Sequence, residues 1–256
     1  MDLMTVKEFA AEQLAKAKVY ARRIKIANSV QRKSLTANHR DEIRASIADD
    51  PEFVSLNMGD GIGAWASIAA IDLRSSTKLA DHHHPRETYL MTHTLLPTLA
   101  FVCEHSEGSV MNFRGDGLFA SFGLKKLTDD DDEFPSETEQ HNANRDAVSC
   151  GCALIEATCD AVQPVLEDEG IDLDLAVGVG VDCGPVVVTR VGWMSANELT
   201  AYGQAVNTAC KLSDGVNRVK TSPRVKAKYP SGPGGKMQFV DVGDGFLADI
   251  TVSMLD

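Results

Sequence analysis

No stretch of this 256-residue chain is apolar for long enough to cross a bilayer. The longest nearly uncharged run, Gly61 to Ile71, falls far short of the ~20 residues a spanning helix needs. Positive charge is not in surplus either: 25 Lys and Arg against 37 Asp and Glu leave a net charge of −12. A nucleic acid or an anionic membrane would be repelled overall, so neither is expected as a partner. A small anionic ligand then needs a local device, a metal ion or a nest of backbone N–H groups. The amino terminus (MDLMTVKE) lacks a basic segment leading into an apolar one, which argues against a secretory leader. The six cysteines, at 103, 150, 152, 159, 183 and 210, lack CxxC spacing, and most lie in apolar periodic segments. Reduced core thiols are therefore expected rather than disulfides, and with them a cytoplasmic location. Internal repeats are also missing.

What is present reads as an α+β protein. Residues 1–58 form an expected helical extension, with Thr5 and Glu8 spaced as a capping box, Val6, Phe9, Leu14 and Val19 at helical intervals, and a second helix over Asn38 to Ile47. These helices lack a broad apolar face, so they are expected to pack on the main domain or on a second copy of it. The main domain, 59–256, carries a strand from Trp65 to Leu73 and a helix from Pro85 to His105. Short strands Val110 to Phe113 and Leu118 to Phe122 make a hairpin around Gly115-Asp116-Gly117. A long helix follows over Asn142 to Leu166. Strands Leu173 to Val181 and Pro185 to Val191 read as a second hairpin turning at Cys183-Gly184. A helix from Gly203 to Leu212 and a strand from Met237 to Val242 complete the series. Hairpins require antiparallel pairing, so the expectation is helices against one face of a mostly antiparallel sheet.

Three segments carry residues suited to chemistry. Asp72 closes an apolar strand and leads into Arg74-Ser75-Ser76-Thr77, a hydroxyl-rich turn whose backbone N–H groups suit a phosphate. It either caps the next helix or holds a cation. Asp116 sits at a hairpin tip, where Gly-Asp-Gly is also an ordinary turn sequence. Two strand-end carboxylates together suit Mg²⁺ or Mn²⁺ shared with phosphate oxygens. In the run Leu199 to Gly215, Asn207 and Lys211 stand four apart on one helix face, an amide and a cation able to stabilise charge on a transferring phosphoryl group. His82-His83-His84 point in different directions and read as an exposed stretch. The acidic run 129–133 lacks EF-hand spacing and reads as a solvated loop.

In this order and spacing the segments resemble the class III nucleotidyl cyclases, the adenylate and guanylate cyclase catalytic domain. Asp72-Leu73-Arg74-Ser75-Ser76-Thr77 is similar to the family's Asp-hydrophobic-x-Gly/Ser-x-Thr turn, and Gly115-Asp116 to its Gly-Asp hairpin. Gly203 to Lys211 is similar to its Gly-x-x-Val-Asn-x-Ala-x-Arg helix except at the last position, and Leu175 to Pro185 to its Gly-rich hairpin. The resemblance covers about Ala64 to Ile250. It implies a ferredoxin-like βαββαβ core with an N-terminal helical extension, acting as a homodimer with active sites at the interface. It implies that Asp72, Asp116 and the Leu73 carbonyl bind two divalent cations, Mn²⁺ or Mg²⁺. Ser75, Ser76 and Thr77 would cradle phosphates, beside Arg74. Asn207 of the opposite subunit would orient the ribose, with Lys211 in the place of the family's transition-state arginine. The ribose 3′-hydroxyl of a nucleoside triphosphate would then attack the α-phosphorus and expel pyrophosphate.

The chain departs from the family where the base is read. Adenylate cyclases carry Lys three residues before the Gly of Gly-Asp and Asp or Thr seven before the helix Asn, and guanylate cyclases carry Glu at the first position. Here these positions are Asn112 and Thr200. Arg114 shares a strand face with Asn112, and is either a base contact or a surface ion-pairing residue. An Arg fork and an Asn amide suit O4 and N3–H of uracil. The pattern resembles the pyrimidine cyclases of bacterial Pycsar antiphage systems, and uridylate is expected ahead of cytidylate. Lys211 cannot form an arginine's bidentate contact. Either a single-point cation suffices, another basic residue such as Lys236 assists, or the domain binds nucleotide without turnover. A purine cyclase with unusual base contacts is the near alternative.

Overall fold

Alternate residues of the run beginning at Gly61 face two different cores, and this arrangement organises the molecule. The computed structural model describes residues 1–27, 53, 55–76, 83–127, 134–193, 196–229, 236–250 and 254–255. The expected helix over Asn38 to Ile47, Thr77, His82 and the run 129–133 lie outside the described residues. Strand β1 (Gly61–Leu73) turns Trp65, Ala69, Ile71 and Leu73 to one face and Ala64, Ala66, Ile68 and Ala70 to the other, all buried. Period-two alternation with apolar residues on both sides is the signature of a strand covered on both faces. The expectation of helices on one face alone is corrected by this double covering.

On the first face lie α1 (Leu3–Ala27), α2 (Pro85–His105) and α3 (Glu137–Glu156), which continues through a π turn (Ala157–Val162) into α4 (Gln163–Glu167). Pro164 explains the widened turn: its ring excludes the carbonyl four residues back and it has no N–H to donate. The Thr5–Glu8 capping box does not form. The helix starts three residues earlier, at Leu3, where Asp2 Oδ1 accepts from Thr5 N at 2.9 Å. The buried stripe is alanine-rich (Val6, Ala10, Leu14, Ala17, Ala21), while Val19 is exposed. Small residues let α1 approach the body closely, and Phe9 stacks on Phe101 of α2 at 4.2 Å between centroids. Of the two packing expectations for this helix, the structure shows the main body.

The sheet runs β2 (Gly108–Arg114), β3 (Gly117–Lys126), β1, β4 (Val177–Trp193), β6 (Arg218–Thr221), β8 (Phe246–Ile250), β7 (Met237–Asp241), with β5 (Ala196–Tyr202) paired to β4. Among the named strands of the described residues, β4–β6 is the one parallel pair, and an isolated parallel bridge joins Met58 to Arg190. The hairpin expected at Cys183-Gly184 is absent. β4 runs straight through, pairing Cys183 with Ser67 and Gly184 with Ala66, and continues to Trp193, which pairs with Ala196 of β5. The second face is covered by α5 (Gln204–Leu212), through Ala205, Val206 and Ala209. α6 (Pro223–Ala227) follows β6. No helix among the described residues is long and apolar enough to cross a membrane. All six cysteines are free, four of them buried, and burial pushes the Cys152 thiol up to about 12 and Cys183 to about 11.

The start of α3 yields a pH prediction. Ser136 N and Oγ both donate to Glu139 Oε2 at 2.7 Å, and Lys125 Nζ donates to Oε1 at 3.0 Å. The Ser136 bonds first, then Lys125, lower the Glu139 carboxyl from 4.5 to about 2. A depressed folded-state pKa stabilises at pH above the unfolded value and loses that effect as pH falls through the folded value. Thermal melts should therefore separate wild type from Glu139→Gln at pH 6, and the gap should close as pH is lowered from 4.5 toward 2. A pH-independent gap would remove the carboxylate from the cap's energetics.

Candidate active site at the strand ends

β1 ends beside the beginning of β3, with Ile71 opposite Leu118. A Cβ on Gly117 would stand 2.1 Å from the Ile71 carbonyl oxygen and 3.2 Å from the Asp72 Cα. Only glycine fits there, and Gly115 takes the turn at φ 61°. The Gly-Asp-Gly tip thus brings Asp116 to the same end of the sheet as Asp72, one residue beyond the closest backbone approach. Leu73 is buried on the opposite face, so only its carbonyl is available to a ligand.

The Asp72 carboxylate is 43% exposed and paired with the Arg74 guanidinium. Arg74 Nε donates to the Asp72 carbonyl at 3.4 Å, and its backbone N to Ala176 O at 2.8 Å. Arg74 and Ser75 make a turn in which Ser75 takes φ 58°, and Ser76 is helical. Arg74 therefore sits on the carboxylate, as a cation does. Two carboxylates and a carbonyl form an all-oxygen donor set suited to hard divalent cations, whose remaining positions phosphate oxygens fill. Among the described residues, no three His, Cys, Asp or Glu side chains gather as a metal cluster.

The second group lies across the face that carries α5. Asn112 Nδ2 donates to Thr200 Oγ1 at 3.0 Å, joining β2 to β5 across 88 positions of sequence. Thr200 is 1% exposed, and Asn112 Oδ1 is shielded from solvent without a hydrogen-bond partner among the described residues. Arg114 lies over the Phe119 ring at 5.2 Å, and Phe119 belongs to the same core as Ala205 and Ala209 of α5. The shared strand face expected for Asn112 and Arg114 is thus consistent with their neighbours.

α5 presents Asn207 and Lys211 on its exposed side, away from its own sheet. Its close approach rests on glycines: a Cβ at Gly178 would stand 2.1 Å from Ser213 O, and one at Gly180 would stand 2.0 Å from Ala209 O. Cys210 shares the exposed side. Partial burial raises its thiol pKa, and the nearby Arg114 charge opposes that rise. Lys236 stands at the start of β7, four strands from β1 in the sheet order, or about 19 Å at ordinary strand spacing. It does not reach the Asp72 end of its own chain. His84 caps α2, its Nδ1 accepting from Arg86 N at 3.1 Å, and His83 stands 3.4 Å from Glu87, as an exposed polar stretch requires. A buried carboxylate, Asp182 on β4, escaped the sequence reading. Its partners Ser222 and Arg224 lie 40 and 42 positions away, and an Asp between two glycine-spaced strand residues was the available signal.

The family model described as the adenylate and guanylate cyclase catalytic domain matches residues 65–230, more than half of the chain. Uridylate cyclase of Rhodovulum sp. (strain MB263) is 26% identical over 175 residues, spanning 66% of this chain and 65% of that protein. Adenylate cyclase 1 of Rhizobium meliloti (strain 1021) is 25% identical over 162 residues, spanning 62% of this chain and 22% of that protein. Among solved structures, the adenylyl cyclase CyaB from P. aeruginosa superposes with a TM-score of 0.61 at 16% identity, over 76% of this chain and 97% of that one. A class III adenylyl cyclase-like ATP-binding protein from Pseudomonas aeruginosa gives 0.58 at 21% identity, over 71% of this chain and 38% of that one. At these identities the superpositions establish the fold, which is the α+β mixed sheet described above. With the family model covering the strand ends, the Gly115-Asp116-Gly117 turn and α5, the chain belongs to the adenylate and guanylate cyclase catalytic domain family, the class III nucleotidyl cyclases.

Proposed function

We propose that the protein is a uridylate cyclase, converting UTP to 3′,5′-cyclic UMP and pyrophosphate as a messenger synthase in antiphage defence. The observation that carries the base assignment is Asn112. Its amide nitrogen is engaged by Thr200, and its unpartnered Oδ1 accepts a hydrogen bond but offers none. Uracil supplies the matching donor at N3–H and an acceptor at O4 for the Arg114 fork. The uridylate cyclase of Rhodovulum supports the same reading.

In this reading Asp72, Asp116 and the Leu73 carbonyl hold two divalent cations, Mn²⁺ or Mg²⁺. When bound, these would neutralise the triphosphate and favour the ionised 3′-hydroxyl. Ser75 and Ser76 follow Asp72 in the turn and would take the β- and γ-phosphates, joined by Thr77 as the family resemblance implies. Arg74, now paired with Asp72, would be free to contact the triphosphate once cations occupy that carboxylate. Asn207 and Lys211 stand on the exposed side of α5, so in this reading they are available to the site of a second copy. Asn207 orients the ribose and Lys211 offsets charge developing at the α-phosphate. This reading calls for a homodimer, and the exposed Val187, Val191, Trp193 and Tyr202 on one face of the β4–β5 pair are available for it.

Lys211 favours one other reading, a domain that holds nucleotide without turnover, because a lysine lacks the fork of the family's arginine. Incubation of the purified chain with Mn²⁺ and each of the four ribonucleoside triphosphates, with products resolved by chromatography, separates these. Cyclic UMP as the main product is expected. Cyclic AMP or GMP as the main product would overturn the base assignment. Tight nucleotide binding with no cyclic product would establish the second reading.

A further inference from the structure

The Asp182 side chain is fully buried, and the Arg224 guanidinium is paired with it. Its Oδ1 accepts from Cys183 N at 2.8 Å, Ser222 Oγ at 2.5 Å and Arg224 Nε at 3.2 Å, while Oδ2 accepts from Arg224 Nη2. Ser222 Oγ in turn accepts from Val225 N at 3.2 Å and so caps α6. This network locks α6 to β4. It does not by itself need an arginine, since a lysine also neutralises a carboxylate.

The fork of Arg224 has a third nitrogen to place. Its Nη1 donates to Gln204 Oε1 at 3.4 Å, and Gln204 is the first residue of α5. That end of α5 has no side-chain cap of its own. It is seated by Gly203, where a Cβ would stand 2.8 Å from Pro185 O. Asn207 follows one helical turn after Gln204. Where a reacting geometry is shared between groups, a displacement of about 1 Å costs on the order of a hundredfold in rate.

We infer that Arg224 is a positioning residue: anchored on the buried Asp182 carboxylate, its guanidinium holds the first turn of α5 through Gln204 and so fixes where Asn207 and Lys211 stand. Arginine is required because its rigid planar fork binds in two directions at once, whereas an ammonium is a point charge on a flexible stem. The inference rests on the reading that Asn207 and Lys211 serve the cyclase reaction.

Three variants of the full chain test it: Gln204→Ala, Arg224→Lys and the double variant. Gln204 is exposed, so Gln204→Ala should melt within about 2 °C of wild type. Its kcat should fall roughly tenfold with KM nearly unchanged, the mark of lost positioning rather than lost binding. Arg224→Lys should lose kcat to the same degree, and the double variant should be no worse than either, because both cut one contact. Additive losses, or a Gln204→Ala enzyme with wild-type kcat, would overturn the clamp. Hydrogen exchange separates this inference from the reaction it rests on. Gln204→Ala should speed exchange of the Asn207 amide, which donates to Gly203 O, and of the amides that follow it roughly tenfold. If wild type makes no cyclic nucleotide but that acceleration appears, the clamp stands and the reaction reading falls. Unchanged exchange sinks the clamp whatever the activity.

Discussion

Asp72→Ala and Asp116→Ala are each expected to lower cyclic nucleotide formation by on the order of 10³-fold or more, because a bound cation contributes several kcal/mol of charge stabilisation to phosphoryl transfer. The fold should survive. Asp72 is 43% exposed and its ion pair with Arg74 is open to solvent, so losing it costs at most about 1 kcal/mol. Asp116 stands at a turn whose geometry comes from Gly115 and Gly117 rather than from its carboxylate. Circular dichroism and melting temperature should therefore match wild type within error. Manganese binding followed by electron paramagnetic resonance, in the absence of nucleotide, should weaken in both variants. Wild-type turnover in either would remove the strand-end carboxylates from the chemistry. Loss of turnover with undiminished manganese binding would place the cations elsewhere.

These two aspartates were legible in the sequence because each is tied to local chemistry, a strand end running into a hydroxyl-rich turn and a glycine-flanked tip. The helix from Pro85 to His105 was legible for a similar reason: Pro85 at its start and Glu87 completing the cap with His84 are neighbours in sequence. The continuity of β4 was not. Cys183-Gly184-Pro185 has turn composition, and only pairing with Ser67 and Ala66 of β1 keeps it extended. Tertiary pairing overrode the local signal. The alanine stripe of α1 was overlooked for a different reason. Phe9 and Val19 carry more hydrophobic surface, but close packing against α2 selects small residues. The Asn112–Thr200 bond joins two positions the family pattern had singled out separately, and nothing local could have shown that β5 folds back to reach β2. Asp182 and Arg224 illustrate the same limit, since a buried ion pair is a property of packing rather than of either segment.

Gly180→Ala is expected to be the most destabilising single-methyl change near the site. The added Cβ would stand 2.0 Å from Ala209 O, 2.6 Å from Ser213 N and 2.7 Å from the Leu212 carbonyl carbon. Every one of these is backbone of α5 or of its last turn, so no side chain can rotate away. Either β4 bends, which its pairing with β1 and β6 opposes, or α5 lifts from the sheet and opens the contacts of Val206 and Ala209. Overpacking of this kind costs roughly 3 kcal/mol, or about 6–12 °C in melting temperature for a domain of this size. Gly63→Ala is the control: its Cβ would meet only Leu127 Cβ at 4.0 Å, so its melting temperature should stay within about 2 °C of wild type. Because α5 carries Asn207 and Lys211, Gly180→Ala should also lose activity well below its melting temperature, where the chain is still folded. Full activity with a lowered melting temperature would mean that the helix can shift without disturbing the reaction, and that the glycine-mediated fit of α5 serves stability alone.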